Sequence, residues 1–231
     1  MIKGLSIIAA TLVTSAFLVG CGSSDSDDSV ATKLYNGKFV DAGVAGIKYE
    51  CGSASGFTLA EGIYGPCVAG TPVTFSVGNL ILGTLSGEVT REFTDPQKTI
   101  VTPRLLAENA AGTPEEQEDA TAKIAITLQS LDVDGDPTNG ITITPAIIQV
   151  VNRQYPESVV LAEPEITVDE VVVHAQAVVA TIVEETGNIN MTAVDEETAL
   201  AHLELTEELI DNNTITPPAQ PVTPTGAVAE N

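Results

Sequence analysis

The chain has 231 residues and carries 9 basic against 32 acidic side chains, a formal net charge of −23. That charge argues against nucleic acid and anionic lipid headgroups as partners and favours cations. Hydrophobic residues make up 43%, which excludes a chain disordered throughout, but aromatics are only 4% and tryptophan is absent, so the core must rest mainly on Val, Ile, Leu and Ala.

The first twenty residues have the plan of a secretory signal. Residues 1–4 carry one positive charge, Lys3, and residues 5–18 are mostly apolar and uncharged. Small residues then lead to a cysteine. The apolar run is short for a spanning helix, which needs about 20 residues. Leu18-Val19-Gly20-Cys21 resembles the lipobox of bacterial lipoproteins. The resemblance implies lipid on Cys21, removal of residues 1–20, and palmitate-type acylation of the new amino terminus. Gly22 replaces the Asp that marks inner-membrane retention in such proteins, so the expected location is the outer membrane or cell surface. Residues 21–35 read as a flexible tether, with Gly, Ser and Asp concentrated at 22–28.

Residues 36–101 read as a Gly-rich β-module. Phe39-Val40, Ile47-Lys48-Tyr49 and Leu80-Ile81-Leu82 are strand-like runs between turn signals. Val73, Phe75 and Val77 alternate with Thr74 and Ser76, the period of a half-buried strand. The stretches 39–49 and 71–83 resemble the opening and closing strands of carboxypeptidase-regulatory-like modules in secreted bacterial proteins. That resemblance implies a small antiparallel sandwich or sheet with an accessory, non-catalytic role. With Cys21 assigned to lipid, Cys51 and Cys67 remain as an even pair. In an oxidising compartment they are expected to form a disulfide whose loop closure contributes on the order of 3 kcal/mol.

Residues 102–211 read as an acidic, mostly helical region, giving an α+β chain overall. Beyond Arg104 there are 23 acidic residues and only Lys123 and Arg153 as bases. Thr113-Pro114-Glu115-Glu116 and Thr167-Val168-Asp169-Glu170 carry the capping-box pattern, with Pro114 placed for a first turn. Ile124, Leu128 and Leu131 recur at helical spacing. Residues 171–185 suit a helix ended by Gly187, with a strand pair as the alternative. Thr192-Ala193-Val194-Asp195 reads as the start of a further helix carrying Leu200, Leu203 and Leu209. Each helix is expected to turn its acids to water. Residues 212–231, rich in Pro and Thr, read as a disordered tail.

One segment suggests ligand chemistry. Asp132-Val133-Asp134-Gly135-Asp136-Pro137-Thr138-Asn139-Gly140 places three carboxylates at alternate positions. It resembles the first half of EF-hand, dockerin and thrombospondin type 3 calcium loops. The resemblance implies side-chain ligands at Asp132, Asp134 and Asp136, a backbone carbonyl at Thr138 and a further oxygen at Asn139. Pro137 stands where EF-hands need Gly and Ile143 where they need a bidentate Glu, so a complete EF-hand is excluded. The same residues also suit an acidic turn held by Asx-type hydrogen bonds, which needs no ion. His174 and His202 fall in separate predicted helices without a cysteine partner, and no nucleophile elbow, P-loop or dinucleotide fingerprint occurs. The expected function is that of a lipid-anchored envelope protein with a non-catalytic binding, adhesion or structural role, with calcium as its candidate cofactor and an unidentified protein as its partner. The alternatives are a metal-dependent hydrolase using carboxylates, and a subunit of an extracellular filament or envelope complex.

Overall fold

The computed structural model describes residues 33–110 and 112–221. The expected leader, Cys21 and the Gly/Ser/Asp part of the expected tether lie outside them, as do residues 222–231. The fold is α+β, with an N-terminal sheet region followed by helices.

The first strand, β1 (Leu34–Phe39), begins inside the stretch read as tether, because Tyr35 and Phe39 both bury their rings. After β2 (Val44–Ala45) come β3 (Lys48–Cys51), β4 (Ala54–Phe57), β5 (Ile63–Val68), β6 (Val73–Val77) and β7 (Leu80–Leu85). Val73, Phe75 and Val77 are fully buried, as the alternation requires. Gly62, which leads into β5, has φ +78 and sits so close beneath β1 that a Cβ would stand 1.9 Å from the Phe39 carbonyl oxygen. Only glycine fits there.

A short helix, α1 (Gly87–Arg91), and β8 (Ile100–Val101) complete the N-terminal half. The strands form a five-stranded sheet, ordered β10-β7-β6-β3-β4 with β10 (Val159–Val160) supplied by the helical half, and a three-stranded one, ordered β5-β1-β8. Aromatic rings join them: Phe39 of β1 and Tyr64 of β5 meet Phe75 of β6 with centroids 4.9 and 5.0 Å away. Pairing is antiparallel for the hairpin strands, but β8 joins β1 in parallel.

The helical half supplies α2 (Pro103–Ala110), α3 (Pro114–Ser130), α4 (Pro145–Gln154), α5 (Val168–Thr186) and α6 (Glu196–Asp211). It also supplies two short strands, one that joins the five-stranded sheet and one that makes a separate two-stranded sheet with β2. β9 (Ile141–Thr142) pairs in parallel with β2, and β10 (Val159–Val160) pairs in parallel with β7. Both capping boxes form, with Thr113 and Thr167 each accepting from the backbone three residues on and Glu116 and Glu170 reaching back. These hydrogen bonds hold both glutamates below the usual carboxylate range. Gly187 caps α5 in the left-handed conformation, φ 72. The last helix starts later than expected, with Asp195 as its N-cap.

One correction concerns α3. Its acids do face water near the N-terminus, but residues 120–130 are buried on every side. The helix is enclosed by α2, α5 and α6, while α2 covers β7. Its polar side chains are therefore interior, and each binds a backbone group. The Lys123 ammonium donates to the Glu163 and Ile166 carbonyls at 3.0 Å, and burial pulls its pKa down. Thr127 donates to the Lys123 carbonyl, and Ser130 Oγ accepts from the Val194 N–H. Satisfying such groups is what makes their burial tolerable.

A second difference concerns the C-terminal segment. Residues 212–221, expected as the start of a disordered tail, pack on the body. Pro218 is buried and Gln220 pairs with Asn36.

Candidate functional site

The predicted cysteine pair is joined. Cys51 on β3 and Cys67 on β5 form a disulfide with Cα atoms 5.8 Å apart, and both are buried. It links the two sheets. Cys21 lies outside the described residues.

The Asp132–Asn139 segment follows the end of α3 directly. Asp132 is buried and bridges two backbone donors: Oδ1 accepts from the Thr142 N–H at 2.8 Å and Oδ2 from the Asp136 N–H at 3.0 Å. Asp134 Oδ1 accepts from the same Asp136 N–H, and its Oδ2 accepts from the Asn139 amide. Asp136 Oδ1 accepts from the Thr138 N–H and hydroxyl. Thr138 and Asn139 thus enter the loop as donors to carboxylates. Gly135 has φ +71, and a Cβ there would lie 2.1 Å from the Asn190 carbonyl oxygen, so the turn is pressed against the segment before α6.

The arrangement answers to the Asx-turn description, since all three carboxylates accept from loop or strand N–H groups. Asp132 and Asp134 also share one donor, the Asp136 N–H. Burial pushes the Asp132 carboxyl up to about 6, helped by the Asp134 charge, while hydrogen bonds from Asp132 and the Asp136 backbone lower Asp134. Among the described residues, no group of three or more His, Cys, Asp or Glu side chains is arranged to hold a metal ion. As the side chains stand, the donor set does not match a calcium cage of six to eight oxygens.

Beside this loop is a buried polar cluster with no signal in the sequence. His202 of α6 and Asp41, just beyond β1, meet with Nδ1 and Oδ1 2.8 Å apart. Asp41 is fully buried, and its Oδ2 accepts from the Gln129 amide, which also donates to the Ala199 carbonyl. Burial alone would lower the His202 pKa, but the Asp41 hydrogen bond and charge, with the Pro137 carbonyl and Asp136, outweigh it and raise the value. The members lie 161 and 88 residues apart in sequence, beyond the reach of motif spacing. Their geometry fastens α3 and α6 to the end of β1. His174, on α5, is elsewhere and packs edge-on against Tyr155 at 5.6 Å.

Among the described residues, the clefts large enough for a small ligand include the following two. One of about 660 Å³ lies between Glu61 and Lys38, which are ion-paired at 3.1 Å, and the 139–142 and 214–216 segments. A more apolar one of about 460 Å³ lies between α4 and α5, floored by Leu161, Val171 and Val178 with Glu165, Glu170 and His174 among its lining. The Glu170 carboxylate is committed to the Thr167 cap. Asp132, the carboxylate with the raised pKa, lines neither cleft.

No protein-family model matches the chain, and neither the curated proteins nor the solved structures yield a match.

Proposed function

We propose that the chain is a lipid-anchored protein of a bacterial outer membrane or cell surface, with a non-catalytic binding, adhesion or structural role. The observation that carries the reading is the run of charged start, apolar stretch and Leu18-Val19-Gly20-Cys21, followed by a Gly/Ser/Asp-rich stretch. The Cys51–Cys67 bridge supports it, because such bonds persist in oxidising compartments. Two or three acyl chains would hold the body stably, where a single chain is marginal. The acidic body would then be presented to water and repelled from anionic headgroups.

The test is expression of the full chain with a labelled fatty acid, followed by membrane fractionation. The wild-type chain should incorporate label and sediment with membranes. Cys21→Ala should incorporate none and either be released or persist as uncleaved precursor. Cys21→Ala protein that stays membrane-bound with its leader removed would sink the anchor.

Calcium enters this proposal as a stabiliser of the 132–140 loop. The supporting observation is the convergence of Asp132 Oδ2 and Asp134 Oδ1 on one donor, the Asp136 N–H, at 3.0 and 3.1 Å, which places two carboxylates where a divalent cation could bridge them. Binding would require the carboxylates to turn from the N–H groups they now accept from. Calorimetric titration with calcium, beside a thermal melt, tests it. Saturable binding that raises the melting temperature and disappears in Asp134→Ala supports the calcium reading. No heat at millimolar calcium leaves the loop as an ion-free turn.

A further inference from the structure

Strand β1 contains an irregularity with a consequence at the molecular surface. Its pairing with β5 slips between Tyr35 and Gly37, so Asn36 is missed by the ladder. A bulged residue leaves backbone groups in need of other partners. The partner here comes from the far end of the described chain. Gln220 Oε1 accepts from the Asn36 N–H, and Gln220 Nε2 donates to the Asn36 carbonyl, both at 3.1 Å. One amide side chain thereby supplies the donor and acceptor that a neighbouring strand residue would supply. The Asn36 side chain adds a third bond, from Nδ2 to the Ala219 carbonyl at 2.8 Å.

The contact has the features of peptide recognition. Pro217 and Pro218 favour an extended backbone at small entropic cost, and Pro218 is buried against the body. Gln220 Nε2 also donates to the Pro218 carbonyl at 3.0 Å, which fixes the amide in register. A neighbouring cleft of about 240 Å³ shares Asn36 and is bordered by Tyr49, Phe57, Leu59 and Tyr64. Phe57 and Leu59 are 55% and 66% exposed, an apolar margin beside the polar anchor. The link back to α6 is short, residues 212–217; it turns at Asn213 with φ 55, and the Thr214 and Ile215 N–H groups donate to the Leu209 carbonyl. A segment held by a few hydrogen bonds at the end of a short link can be exchanged between copies, because the exchanged contacts are the same ones.

We infer that the Asn36 bulge is a recognition seat for a Pro-x-Gln segment, filled here by the chain's own Pro218-Ala219-Gln220 and open to the same segment of a second copy. The chain's own segment is the competitor, at an effective concentration in the millimolar range for a short link, so exchange requires crowded copies. The inference does not depend on the lipid anchor or on calcium.

The experiment uses the full chain with its seat vacated by Pro218→Ser and Gln220→Ala, and a fluorescent peptide of residues 216–221. Anisotropy should show saturable binding to the vacated chain, about ten-fold or more weaker binding to the wild-type chain, and none when the peptide's glutamine is replaced by alanine. Gln220→Ala alone, which leaves the buried proline in place, should give an intermediate result and guards against a folding defect in the double variant. Sedimentation of a concentrated mixture of vacated and wild-type chains should then show a mixed dimer, lost when free peptide is added. A vacated chain with unchanged melting temperature that fails to bind the peptide overturns the seat. Peptide binding without a mixed dimer overturns the second copy as occupant.

Discussion

The sheet half and the helical half hold themselves together by different means. In the sheet half, rings do the packing: Tyr35, Phe39, Tyr49, Tyr64, Phe75 and Phe93 form a chain of contacts, and the Cys51–Cys67 bond closes one side of it. In the helical half the only aromatic residue is Tyr155, and α3 is enclosed by aliphatic neighbours. There the interior is pinned by a few polar side chains: Lys123 and Gln129 donate, and Ser130 and Asp132 accept. The lesson is that aliphatic helices fill space well but specify position weakly. Buried polar groups supply the missing register, at the cost of needing every partner present.

That contrast can be broken experimentally. The largest effect should come from Phe75→Ala, which removes a fully buried ring in contact with Phe39 and Tyr64 and should lower stability by about 3–5 kcal/mol in urea melts. A loss no greater than that of an exposed alanine substitution would deny the rings their role. Replacing both cysteines with serine should cost about 3 kcal/mol, and the reduced wild-type chain should match the variant. Lys123→Met sharpens the other side. It keeps volume and removes a charge, yet strands the Glu163 and Ile166 carbonyls, so a loss of about 2 kcal/mol is expected. Equal or higher stability would mean that the ammonium merely fills space.

The smallest effect is a pH dependence. His202 has a raised pKa in the folded chain because the Asp41 carboxylate outweighs burial. Its stabilisation is therefore complete below the unfolded histidine value of about 6.5 and is lost as pH rises through the folded value. The melting temperature should fall over that alkaline window, and His202→Gln should flatten the slope. An unaltered slope in the variant would assign the titration to another group.

What could be read from sequence divides along the range of the interactions. The capping boxes at Thr113 and Thr167 were legible because donor and acceptor lie three residues apart. The alternation at Val73, Phe75 and Val77 was legible for the same reason. Helix α4 was not, although Thr144 caps it and Pro145 opens it, because Ile147 stands where a capping box has Glu. The interior placement of Lys123 and Gln129 depends on three other helices closing around α3, and composition reads such residues as a wet face. The Asp41–His202 pair and the Asn36–Gln220 contact bridge 161 and 184 residues, so no local rule reaches them. For the Asp132–Asn139 segment the spacing of acids was plain, but the N–H groups they accept from were set by strand β9 and by the turn itself.

The two short strands returned by the helical half govern the order in which the fold can close. A chain made or threaded from its N-terminus presents β7 and β2 well before Val159–Val160 and Ile141–Thr142 arrive. Until then the outer edge of β7 is an open template, and pairings of such long sequence separation form late because loop closure must precede them. The sheet can be nucleated by its own hairpins, but its edge is sealed only after most of the helices have emerged, so the half-made chain carries an unpaired strand edge for longer than the finished fold suggests.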